Sequence, residues 1–378
     1  MKIVISGVEG VNKGAELMLY AILKEIEHRF PHAVVYLPIS QFPKGLKYIR
    51  TNLELRQSPN KFVRFLGKYH ITGILNRLRL KSKYLNNLLP IKGVGYYLDA
   101  SGLFFSDQMI ASVNVAQDLN VLLHGYREQG TKIIYLPQAF GPFNKTASSE
   151  AVKVALDYAD LIIARDDTSY GFLCNIGRGV SKVTKYFDFT GVLHPECPVQ
   201  YQKLVGKVCL IPNNQIIRKG VMSRDQYLDL LLTIIKVIYD EGYEAFFLDH
   251  ADDADVAVQC VKRTPYDIPI VTDVDALTVK AIISQSYLCV SSRFHGVVSS
   301  LSSAVPCLTT SWNHKYQELL KLYDADDSLL STSHIECVNK VKHFLSKDVN
   351  KDIRERLHLK EELIKENIQE MWTCVWSV

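Results

Sequence analysis

"YLCVSSRFHGVVSSLSSAVPCLTTSWNHKYQELL", residues 287–320, decides how the rest of the chain is read. An apolar run rich in β-formers ends in a serine pair, and a helical pattern follows. Ala304, Val305 and Pro306 then open a second apolar run that again feeds a helix. Strands that are apolar throughout and alternate with helices belong to parallel sheets covered on both faces. The stretch therefore predicts strand, helix, strand, helix, with the first helix starting near Gly296 and the second near Asn313.

The same alternation runs outward in both directions. Strands are expected at 2–6, 34–39, 95–101, 132–138 and 161–165, and again at 207–213, 244–250, 268–271, 287–292 and 305–311. Helical patterns lie at 14–29, 111–129, 147–158, 224–241, 252–263, 276–284, 296–304 and 313–322. The expectation is an α/β chain of two Rossmann-like domains, their parallel sheets facing a cleft. The 378 residues are enough for two cores. "GVLHPECPVQYQKLVGK" (191–207) holds two prolines, breaks the alternation and marks the seam. This gives a first domain over 1–195 and a second over 205–349. A charged helical segment, 350–378, is expected either to cap the second domain or to cross back onto the first.

A hydrophobic share of 47% with 22% charged residues is the balance of a globular protein, not of a disordered or fibrous one. The net charge of +4 is too mild for a nucleic-acid-binding stripe. The N-terminal apolar run is too short for a signal peptide and is read as a strand. No apolar run reaches the ~20 residues that span a bilayer. Eight scattered cysteines without C-x-x-C argue for a reducing, cytoplasmic setting and against a disulfide framework or a cysteine-based zinc site. One segment departs from the pattern. Residues 44–92 hold twelve Lys or Arg against one acid, Glu54, with Phe62, Phe65 and several leucines interleaved. It reads either as a solvated insertion on the first domain or as a basic amphipathic surface for anionic lipid or a diphosphate-linked acceptor.

In open parallel sheets, ligands bind beyond the carboxyl ends of the strands, where loops feed helix N-termini. Arg293 and His295 fall on such a junction, where first-turn N–H groups favour an anion and an arginine can grip carboxylate or phosphate with two bonds. A lone R-x-H is ordinarily structural. Here a second junction follows at once, with His314 and Lys315 in the first turn of the next helix. Cations there oppose the helix dipole, so two such turns in succession point to a bound anion. A third junction, "LIIARDDTSYGFL" (161–173), ends a strand with Arg165; Asp166 and its followers read as helix caps, and pairing of Arg165 with the local aspartates is an equal alternative.

Other polar groups lie at strand ends. "SGVEGVNKGAELML" lacks both dinucleotide and Walker fingerprints, so Glu9, Asn12 and Glu16 are read as binders of sugar hydroxyls or as helix caps. Asp99 with Ser101, Asp188 and the Asn213–Asn214 pair are further candidates. "DHADDAD" (249–255) has enough carboxylates to suggest a metal but is read as a helix N-cap with solvated acids.

With "GVNKGAELML", "ARDDTS" and above all "SSRFHGVVSSLSSAVPCLTTSWNHKYQELL", the sequence resembles the polysaccharide pyruvyl transferase family over nearly its whole length. The resemblance implies the two-domain glycosyltransferase-B (GT-B) architecture. It also implies transfer of pyruvate from phosphoenolpyruvate to a sugar of a cell-surface glycan, with a cyclic ketal formed and phosphate released. On this reading His295 and Arg293 are catalytic. Arg165, Arg293, His295 and Lys315 hold the donor, flanked by Ser292 and Asn313, while Asn12, Glu16, Glu9 and Asp99 face the acceptor. The family's aspartate-proline element appears only as "FDFTG", around Asp188. No metal or cofactor is expected beyond phosphoenolpyruvate as co-substrate. The expected partners are that donor and a sugar acceptor carried on a lipid diphosphate, at the cytoplasmic face of an anionic membrane, without nucleic acid. Two other readings stay open: a GT-B nucleotide-sugar glycosyltransferase, and a non-catalytic binder of glycan or membrane surfaces.

Overall fold

A computed structural model describes residues 1–8, 12–38, 52–56, 91–251, 253–310, 314–331 and 333–378, with 52–56, Pro38 and His314 in their main chain alone. Most of the expected basic segment 44–92, together with Glu9 and Asn313, lies outside the described residues. The chain divides into two compact units. One comprises residues 1–10, 18–188 and 368–378; the other comprises 11–17 and 189–367.

The first unit is built on seven parallel strands: β1 (Lys2–Ser6), β2 (Val34–Pro38), β3 (Asn52–Arg56), β4 (Val94–Asp99), β5 (Lys132–Gln138), β6 (Leu161–Ala164) and β7 (Val183–Lys185). Their order is β3-β2-β1-β4-β5-β6-β7. Among the described residues four α-helices intervene: α1 (Lys13–Arg29), α2 (Asn114–Arg127), α3 (Thr146–Tyr158) and α4 (Asp167–Asn175). All four residues of β6 are buried, as a strand covered on both faces requires. On α3, Ala151, Val152, Ala155 and Leu156 share one face, and its small residues let the helix sit close on Leu123 and Tyr126 of α2 within one core.

The second unit carries five parallel strands, β8 (Val208–Ile211), β9 (Ala245–Leu248), β10 (Ile270–Val271), β11 (Leu288–Ser291) and β12 (Cys307–Thr309), in the order β10-β9-β8-β11-β12. Its helices are α5 (Gln215–Arg218), α6 (Arg224–Asp240), α7 (Ala254–Arg263), α8 (Ala276–Ser284), α9 (Phe294–Leu301), α10 (His314–Leu322), α11 (His334–Leu345) and the long α12 (Lys347–Ser377). A capping box of Ser223 and Gln226 starts α6. In the middle of the sheet Cys289 stands in register with Cys209 on one side and Cys307 on the other, and all three thiols are free and buried.

Four of the described elements were not legible in the sequence: β3 lies inside the basic segment, β7 is only three residues long, α5 is a single turn, and α11 comes after the strand–helix alternation has ended. The helix after β11 begins at Phe294, two residues before the expected Gly296. Ser291 closes a local turn by accepting the Arg293 N–H at 3.1 Å and donating to the Arg293 carbonyl at 3.0 Å, so the helix opens at once. Residues 11–17, the first turn of α1 included, group with the second unit, and α12 runs from second-unit residues into first-unit residues after Asn367.

Candidate functional site

The strand order of each sheet reverses once, between β1 and β4 in the first unit and between β8 and β11 in the second. Ligand crevices form at such switch points. In the second unit this point holds the R-x-H turn. Gly296 makes the close fit possible: a Cβ there would lie 2.3 Å from Ser291 Oγ and 3.2 Å from Ile211 Cδ1.

The turn is fixed by a buried polar network centred on Ser292, which is 5% exposed. Its carbonyl accepts from Asn213 Nδ2 at 2.6 Å and from Tyr316 Oη at 2.9 Å. Its hydroxyl accepts from Tyr227 Oη at 2.9 Å and Thr310 Oγ1 at 2.8 Å. Burial pushes the Tyr227 phenol up to about 12, so it stays a donor at neutral pH. Ser292, expected beside the donor, is thus engaged in holding its neighbours.

Arg293 occupies the N-cap position of α9. Its guanidinium donates through Nε to Asp253 Oδ2 at 2.7 Å, through Nη2 to the same oxygen, and through Nη2 to the Ala251 carbonyl at 3.3 Å. The Asp253 side chain is 2% exposed. Its other oxygen accepts from the Asn214 N–H at 3.0 Å. Burial pushes the Asp253 carboxyl above the usual range, and Arg293 offsets only part of that push. This corrects the reading of "DHADDAD". Asp253 stands at the N-cap of α7 without capping it and is the buried counter-ion of Arg293. Asp249 accepts from the Asp253 N–H at 2.8 Å, and Asp255 binds Asn214 and Arg224. Among the described residues no group of three or more His, Cys, Asp or Glu is placed to hold a metal.

His295, 9% exposed, sits in the first turn of α9, edge-on to the Phe294 ring. A Cβ on Gly14 would lie 2.0 Å from His295 Nδ1, so only glycine lets the first turn of α1 approach the imidazole this closely. Three further bonds hold that turn. Lys13 N–H donates to the His250 carbonyl at 3.2 Å, Lys13 Nζ donates to Glu16 at 3.1 Å, and Glu16 also takes the Ala276 N–H at the start of α8. Burial raises the Glu16 carboxyl, with Lys13 opposing. Asn12, exposed, accepts the Gly14 N–H at 3.0 Å and so caps α1. Lys315, from α10, lies 5.0 Å above the Phe294 ring and 5.7 Å from that of Tyr316, within cation–π range.

The second unit therefore brings Arg293, His295 and Lys315 onto one junction, with Asn12 and Glu16 on the adjoining helix start. Sequence reasoning missed Asp253, His250 and Gly14 there. Arg165 and Asp99 belong to the first unit. Arg165 is 7% exposed, and its Nη1 bonds to Oδ2 of Asp188, the "FDFTG" aspartate, at 3.1 Å. Asp166 caps α4, accepting from the Ser169 N–H at 2.7 Å. Asp99, at the β1/β4 switch point, accepts from Ser101 N–H and Oγ and from Gln138 Nε2. Burial raises its carboxyl.

A family model described as polysaccharide pyruvyl transferase matches residues 12–314. No curated protein matches the sequence. Solved structures share the fold at low identity. HepE of Anabaena, in complex with UDP-glucose, aligns over 100% of both chains with a TM-score of 0.62 and 14% identity. MnaA of S. aureus with UDP aligns over 96% of this chain and 91% of its own, with a TM-score of 0.60 and 11% identity. The UDP-GlcNAc 2-epimerase of Methanocaldococcus jannaschii aligns over 97% and 99%, with a TM-score of 0.56 and 11% identity. The architecture is of the GT-B type, with two parallel α/β sheets.

Proposed function

The chain belongs to the polysaccharide pyruvyl transferase family, and from that premise we propose that it moves pyruvate from phosphoenolpyruvate onto two hydroxyls of one sugar. The observation that carries the donor assignment is the R-x-H junction of the second unit. A part-buried guanidinium, an imidazole and an ammonium meet there at strand ends and helix N-termini, a setting matched to a compact anion with a carboxylate and a phosphate.

The donor's methylene carbon takes a proton and becomes a methyl group, leaving positive charge on the central carbon. One sugar hydroxyl oxygen bonds to that carbon, the carbon–oxygen bond to phosphate breaks, and a second hydroxyl closes the ketal. The two hydroxyl protons balance the step, one replacing the proton given to the methylene and one leaving with phosphate. His295 handles the proton, a role worth about a hundred- to ten-thousandfold in rate. Arg293 and Lys315 hold the anionic groups and stabilise the departing phosphate.

Incubation with phosphoenolpyruvate and a panel of lipid-diphosphate mono- and disaccharides tests the reading, with phosphate release and mass spectrometry of a pyruvate ketal as readouts. His295→Ala is expected to stay folded and lose turnover; an active variant removes His295 from the proton step. The UDP complexes of the structural neighbours favour a second reading, a nucleotide-sugar enzyme. A ligand that binds only the folded state raises Tm by mass action. Phosphoenolpyruvate should therefore shift Tm and UDP should not; the reverse supports the second reading.

A further inference from the structure

His250 follows β9 and is 3% exposed. Among the described residues its Nδ1, sealed from solvent, has no hydrogen-bond partner. A buried polar nitrogen left in this way is uncommon and calls for an explanation. Its surroundings suggest one. Its carbonyl holds the Lys13 N–H, and the next carbonyl, Ala251, holds the Arg293 guanidinium. The charged and titratable groups around it are Lys13 from α1, Arg293 and His295 from the β11–α9 junction, and Asp249 and Asp253 on its own loop. The two acids are engaged, Asp253 with Arg293 and Asp249 with the Asp253 N–H. Of these, Arg293, His295 and Lys13 each disfavour a charge on the imidazole. Burial above all, then Arg293 and His295, hold it well below the usual imidazole range. A dianion bound at this junction would oppose that effect.

We propose that His250 is a further ligand-binding residue of this site and takes up a proton when a phosphate-bearing anion binds beside Arg293 and His295. The proton comes from the buffer and goes to the imidazole ring, which then supplies a charged hydrogen bond to the ligand. Only the identity of the anion rests on the donor reading given above.

Isothermal titration at about pH 6.5, the ordinary imidazole midpoint, in two non-phosphate buffers of different ionisation enthalpy measures the uptake. The probes are phosphoenolpyruvate, inorganic phosphate and UDP. The wild type should take up a proton fraction on binding. His250→Gln and His250→Asn should lose it, with Kd rising roughly tenfold or more, as expected for a lost charged hydrogen bond. Net uptake also carries the titration of the ligand's own phosphate, which is common to all three proteins, so uptake unchanged in both variants overturns the inference. His250-dependent uptake with UDP or phosphate but no binding of phosphoenolpyruvate keeps the inference and overturns the donor reading. Phosphoenolpyruvate binding with uptake indifferent to residue 250 does the opposite. Should neither variant fold, the ring nitrogen shifts of His250 in the wild type decide by nuclear magnetic resonance: a charged ring in the anion complex keeps the inference, and a ring that stays neutral with the anion bound overturns it.

Discussion

Removing one partner of a buried ion pair strands the other, typically at a cost of about 3–5 kcal/mol. Asp253→Asn should therefore lower both the denaturant midpoint and the affinity for anions, because Arg293 loses the carboxylate that aims it. Gly14→Ala tests a different dependence. Alanine ordinarily favours a helix by up to about 1 kcal/mol, yet here the methyl would overlap His295. The expected outcome is a kcat loss of ten- to a hundredfold with Tm little changed; an active enzyme with raised Tm argues against the steric account. His250 has a folded pKa below its unfolded value of about 6.5. Below that pH the unfolded chain binds more protons, so stability is lost as pH falls from about 7. Tm measured at about pH 7 and pH 5.5 should fall less in His250→Gln than in the wild type. Arg293 and His295 were legible because their cationic and titratable side chains stand where a helix dipole welcomes an anion. Asp253 was not, being 40 residues from Arg293 in the chain and joined to it only by parallel pairing.

At the scale of elements, strand positions were legible wherever both faces are buried, since an apolar run bounded by helices admits few other readings. Helix starts were less so, because a serine turn can open a helix two residues before the sequence pattern shows it. Helix contacts that rest on single polar residues were not legible at all. Lys280 on α8 is fully buried, its ammonium donating to the Thr190 carbonyl at 3.0 Å, the Ser302 hydroxyl at 2.9 Å and the Gly191 carbonyl at 3.5 Å. On sequence it reads as one cation in an apolar helix. Arg354 on α12 does the same for Ser286, Tyr287 and Ala304, whose carbonyls it holds at 2.8–3.2 Å. Lys280→Met should destabilise by roughly 2–5 kcal/mol, since it orphans several buried acceptors at about 1–3 kcal/mol apiece, and Arg354→Met by less, since its acceptors are part-buried and Asn350 still holds the Tyr287 carbonyl. Chemical denaturation followed by circular dichroism checks this. A change under 1 kcal/mol in Lys280→Met would mean that water replaces the lost donor.

Across the whole molecule, the alternation of strands and helices was enough to foresee two parallel sheets, because crossover helices are what parallel pairing demands. The grouping of residues 11–17 with the second unit was not foreseeable, since it depends on packing around Gly14 and Glu16 that no local pattern encodes. The row of Cys209, Cys289 and Cys307 has a practical consequence. These three sulfurs, with Cys260 and Cys337, are buried, whereas Cys174, Cys197 and Cys374 are partly open. A colorimetric maleimide or disulfide reagent should thus titrate in two phases. The three partly open residues should react first and the other five at the pace of global opening. The slow amplitude then becomes a built-in clock for unfolding that needs no added fluorophore, and any ligand that steadies the second sheet should be seen to slow it.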